Sequence, residues 1–163
     1  LSAYSNIQQV TPVRTKQAVN STYYQPVITQ YCLFCKTPHA QSPCRDTAPL
    51  CGECDSPLFP PSKTFAEQQR RDIVRLSDNS HVHFYTYWPG KLKNGKVIDI
   101  SPLGMQLISP VELTKEQILK IDSRDFKAVG TVSYINTDNQ TVGIQFLTVN
   151  FNKTKGQFFY ESA

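Results

Sequence analysis

A chain of 163 residues is long enough for one good domain, or for one medium and one small domain. Its 39% hydrophobic and 18% charged content fits a soluble globular protein, and no apolar run approaches the length of a membrane span. A net charge of +4 favours anionic partners without demanding a nucleic acid.

Residues 1–24 are polar, rich in Ser, Thr, Asn and Gln, with no sustained period of either kind, so a loose arm is expected. Val27 to Tyr31 reads as a short strand leading into Cys32. There Cys32-Leu33-Phe34-Cys35 is followed, after fifteen residues, by Cys51-Gly52-Glu53-Cys54. Each CxxC turn aims two sulfurs at one point, and two such turns complete a tetrahedron. Cys32, Cys35, Cys51 and Cys54 therefore form a candidate structural zinc site, arranged as in a zinc ribbon. Gly52 is expected to take a left-handed conformation in the second turn.

Two disulfides are the alternative reading of the same cysteines, and a rubredoxin-like iron shares their spacing. His39 and Cys44 lie between the pairs, and either could stand in for a ligand. The odd count of five cysteines argues against a pure disulfide framework and for a reducing compartment, the cytoplasm. Four thiolates leave no open position for water, so the metal is expected to stabilise rather than catalyse. A domain as small as residues 1–55 cannot rest on its core alone.

Ser56 to Ser62 holds three prolines in five positions and reads as the start of a stiff linker over residues 56–69, with a helical turn between Thr64 and Gln69. A basic cluster follows at Arg70, Arg71 and Arg75, placed to act as an arm on the domain of residues 70–163. From Val82 the pattern is β. Val82, Phe84, Thr86 and Trp88 alternate with His83, Tyr85 and Tyr87. Asn94-Gly95 is a hairpin-turn signal, and Lys96 to Ile100, Met105 to Ile108, Phe126 to Ile135 and Val142 to Val149 are further strands. Thr114 and Gln117 match a capping box, which would start a short helix. Short strands with frequent turn signals indicate a mainly β fold and a small antiparallel barrel. The aromatic tail Phe158-Phe159-Tyr160 is expected to pack on the barrel or a partner.

Two arginines four apart suit a planar, acceptor-rich anion, because guanidinium makes paired hydrogen bonds to phosphate or to the O6/N7 edge of guanine. An Asp, a Ser and a Gly within six residues, Asp99, Ser101 and Gly104, suit the other edge of such a ligand. On residues alone, the arginines more often form a solvated patch and Asp99-x-Ser101 an ordinary turn. Taken together, Arg71-x-x-x-Arg75 followed by Asp99-x-Ser101-x-x-Gly104 resembles the paired signature of PilZ domains, bacterial receptors for cyclic di-GMP.

The resemblance covers about Arg70 to Phe151. It implies a six-stranded barrel with a strand near Gln117 to Ile121, and cyclic di-GMP held by Arg71, Arg75, Asp99 and Ser101. Gly104 would keep a side chain out of the way, and Arg70 would add phosphate attraction. Nucleotide binding would clamp the arginine arm onto the barrel and reorient the ribbon for a protein partner, met through the ribbon or the barrel surface. The alternative is a zinc-ribbon nucleic-acid binder, against which stands the ribbon's poverty in basic residues, only Lys36 and Arg45. No nucleophile–base pair, HExxH helix or Walker loop is present, so no enzymatic activity is expected.

Overall fold

The computed structural model describes residues 30–39, 49–61 and 75–152. The expected arm of residues 1–24, most of the strand before Cys32, Cys44, the helical turn at 64–69, Arg70, Arg71 and the aromatic tail lie outside the described residues.

Seven strands form one sheet: β1 (Leu76–Ser77), β2 (His81–Tyr85), β3 (Lys93–Ser101), β4 (Gly104–Ile108), β5 (Ile118–Asp122), β6 (Phe126–Asn136) and β7 (Thr141–Phe151). Neighbours run in the order β3-β2-β5-β6-β7-β4, and β4 pairs back with β3, so six antiparallel strands close into a barrel. Closure removes the exposed edges of an open sheet. The short β1 lies along β3 beyond the end of β2, and Asp78 bridges the gap by accepting from the Ser80 N–H at 2.7 Å. Among the described residues there is no helix.

The interior follows from alternation. Val82 and Phe84 point inward from β2, Leu119 and Ile121 from β5, and Val142, Ile144 and Phe146 from β7, all buried. His81 and His83 alternate outward and are exposed. Burying these apolar faces contributes about 1.5–3 kcal/mol per large side chain.

Three local expectations change. Asn94-Gly95 is not the hairpin turn; both residues lie inside β3, and the chain reverses between Thr86 and Leu92 instead. Gly95 faces the barrel interior, where a Cβ would stand 2.3 Å from the Leu107 side chain. The glycine makes room for the core, and that demand overrides the turn signal. The alternation expected up to Trp88 stops at Tyr85, because Pro89-Gly90 cannot extend a ladder. The capping-box contact does form, with the Thr114 N–H donating to Gln117 Oε1 at 2.9 Å. No helix follows it. Glu116 adopts φ 67° and the chain enters β5, whose Leu119 and Ile121 complete the core.

The four-cysteine segment is built from two short hairpins, closed by the bridges Tyr31–Pro38 and Leu50–Pro57. Its prolines do not set it apart from the barrel. Ser56, Pro57 and Leu58 are buried, and Phe59 C=O accepts from the Val149 N–H at 3.0 Å. β4 pairs only with residues 141–145 of β7, so this contact covers a β7 edge that β4 leaves open.

Candidate metal centre and ligand face

The two cysteine turns repeat one construction. Cys32 N–H donates to Thr37 C=O at 2.9 Å and Lys36 N–H to Cys32 C=O at 3.0 Å. In the second turn Cys51 N–H donates to Ser56 C=O and Asp55 N–H to Cys51 C=O, both at 2.8 Å. The left-handed residue is the one after the second cysteine, Lys36 (φ 66°) and Asp55 (φ 59°). The role expected for Gly52 therefore falls to Asp55, and Gly52 has open space where a Cβ would stand.

These turns bring the four sulfurs within 4.8 Å of one another. The closest pairs run across the turns, Cys35–Cys51 at 3.5 Å and Cys32–Cys54 at 3.6 Å. A regular tetrahedron with sulfur–metal bonds of 2.3 Å has edges of about 3.8 Å, so the set fits one tetrahedral ion. Disulfides need sulfurs at about 2.05 Å, and all four cysteines are free. His39 is not among the clustered donors.

Each turn also sets a hydroxyl against its second cysteine. Cys35 Sγ lies 3.2 Å from Thr37 Oγ1, and Cys54 Sγ lies 3.1 Å from Ser56 Oγ. Burial pushes the Cys35 thiol up, but hydrogen bonds from Thr37 and the neighbouring thiols outweigh it and bring the pKa to about 7. Burial raises Cys51 and Cys54. Of these three thiols, Cys35 is the one shifted toward the thiolate form that binds a cation. Sequence reading overlooked the hydroxyls, although the repeat Cys-x-x-Cys-x-Thr/Ser stands openly in both turns. Thr37→Val combined with Ser56→Ala is expected to weaken metal affinity by about tenfold or more, as losses of hydrogen bonds to ligands do. Competition with a chromophoric chelator measures it.

The second site lies on another wall. A β-bulge on β3 between Val97 and Asp99 changes which side chains face out. Gly95 and Val97 point inward, so strict alternation would bury Asp99 as well; the bulge turns it outward and returns Ile100 to the core. Asp99 then lies between Ser77 of β1 and Gln106 of β4. Arg75, just before β1, reaches it with Nη1 2.5 Å from Asp99 Oδ1. Residues 24 apart in sequence are thereby joined on one exposed face.

Ser101 and Gly104 occupy the tight β3–β4 turn. Ser101 is buried and donates to Gly104 C=O at 3.2 Å, so in this state its hydroxyl secures the turn. At Gly104 a Cβ would sit 2.3 Å from Ile144 O, so glycine is required for β4 to approach β7. Gly104→Ala is expected to cost about 1–3 kcal/mol of stability through overpacking, as urea unfolding would show. Arg70 and Arg71 lie outside the described residues.

Lining the far end of the barrel is an open groove of about 530 Å³ between Pro110, Val111, Leu113, Ile135 and Val142. No described helix is long and apolar enough to cross a membrane. Compared with known proteins, the chain matches no family model and no curated protein.

Proposed function

We propose that the protein is a bacterial, cytoplasmic receptor for cyclic di-GMP that carries a structural zinc ribbon. One observation carries this reading: Arg75 and Asp99, from opposite halves of the PilZ-like signature, meet on the outer face of the barrel. An exposed ion pair contributes only about 0–1 kcal/mol to stability, so a ligand can exchange it for stronger contacts. A guanine offers such contacts, with acceptors at O6/N7 for an arginine and ring donors for a carboxylate.

In this reading Arg71 and Arg75 grip guanine edges and phosphates, Asp99 takes the ring N–H groups, and Ser101 supports them from the turn. Arg70 adds phosphate attraction. Nucleotide binding clamps the arginine arm onto the barrel. Reorienting the ribbon toward a protein partner then means releasing its Phe59 contact with β7.

The four thiols suit zinc because a soft, closed, tetrahedral set holds it without strain. Bound there, zinc would supply folding energy rather than a reactive water, since Cys32, Cys35, Cys51 and Cys54 fill all four positions. Calorimetric titration of the intact chain with cyclic di-GMP tests the reading, with Arg71→Ala beside it. Heat that is lost in the variant supports the clamp. No heat with the intact chain removes it, and salt-sensitive nucleic-acid binding in its place would reassign the arginines. Metal analysis finding about one zinc per chain in a colourless protein supports zinc; a coloured protein points to iron.

A further inference from the structure

Across the outer wall of β2, β5, β6 and β7 runs the row Tyr85, Lys120, Val129 and Thr148, joined by strand register. These positions face away from the core, yet Lys120, Val129 and Thr148 are almost fully buried. Lys120 lies with its ammonium 4.8 Å from the Tyr85 ring centre and 5.8 Å from that of Trp88, and it pairs with Asp122. Trp88 meets Tyr85 edge-on at 5.5 Å and packs against the cluster of Cys32, Cys51, Cys54 and Leu58. Its indole N–H points to Glu53, inside the second CxxC turn, at 3.4 Å. At the end of the row, Val149 N–H is taken by Phe59.

From these contacts we infer that the cysteine centre is a clamp: a metal in it holds the ribbon down as a cover on this wall, and Trp88 is the latch. The physical reason is the size of the ribbon's own apolar cluster. Among the described residues it has, besides its cysteines, only Leu58 and Phe34, and Trp88 comes from the barrel. Without an ion to hold four thiols together, the two turns lose their shared centre and the surface on which Trp88 rests. A buried ammonium left under an open wall regains water, which offsets part of the contact energy lost on parting. The barrel's closure depends on other residues, those between β3, β4 and the core, and survives the release.

Trp88 is the sole tryptophan, so its fluorescence reads this contact alone. The full chain is stripped with a chelator and its emission and segment-resolved hydrogen exchange are followed before and after adding back zinc alone. The expected result is a red shift of Trp88 emission with faster exchange over residues 86–90 and 146–151. Protection of β3 and β4 stays unchanged, and zinc reverses both effects. Trp88→Phe should keep the metal while slightly speeding exchange in the same two segments. Two outcomes overturn the inference. One is unchanged emission and exchange on stripping; the other is loss of protection in β3 and β4 as well, which would make the metal a requirement of the whole fold.

Discussion

Asp99→Ala is expected to weaken cyclic di-GMP binding roughly tenfold or more while changing the unfolding free energy by less than about 1 kcal/mol. The asymmetry follows from exposure. Arg75 is 51% and Asp99 23% exposed, so water solvates both when either is truncated. Against the guanine proposed above, the same carboxylate would meet fixed ring donors, and each good bidentate contact is worth about 1–3 kcal/mol. Arg75→Ala should behave alike. Arg75→Lys should recover little of the affinity, since an ammonium cannot make the planar pair of hydrogen bonds. Titration calorimetry and urea unfolding, run on the same preparations, separate the two quantities. A variant that loses stability and affinity together would mean that the ion pair belongs to the fold.

Cys51→Ser is expected to remove the metal and unfold the two cysteine turns, with the largest loss of local stability of any single change proposed here. Structural tetrathiolate and related sites in small peptides bind zinc with an apparent 10–16 kcal/mol or so at pH 7, and that energy is folding energy. Protease sensitivity over residues 30–39 and 49–61, beside metal analysis, measures it. The pH dependence has a definite sign. In the metal-free site Cys35 holds its proton below about pH 7, while burial raises Cys51 and Cys54. Protons therefore compete with the ion increasingly as pH falls, so metal uptake should release protons and the affinity should drop on acidification from 7.5 to about 5.5. Affinity independent of pH would show that the thiols are not the ligands.

How much could be read in advance differs between the two sites. The cysteine centre was legible because its geometry is local: two CxxC turns, each closed by its own backbone hydrogen bonds, aim their sulfurs without help from distant chain. The residue needing a left-handed backbone was misplaced by three positions, from Gly52 to Asp55, since glycine is only the easiest occupant of that conformation. Asn94-Gly95 misled for a related reason. Its glycine answers to Leu107 across the barrel, a neighbour invisible in a window of a few residues. The signature on β3 was legible as residue types, but its presentation was not. Only the bulge after Val97 decides that Asp99 faces water and can meet Arg75.

By itself the sequence determined what short-range chemistry controls: four thiols at one centre, a run of alternating strands, and a mainly β domain following them. The six-stranded barrel expected from the sequence is present; tertiary structure decided which strands pair to close it, the meeting of Arg75 with Asp99, and the seating of Trp88 between the cysteine centre and Lys120. These depend on register and on packing between segments far apart in the chain. A one-residue slip in register turns every side chain to the opposite face, so no local pattern can specify them alone.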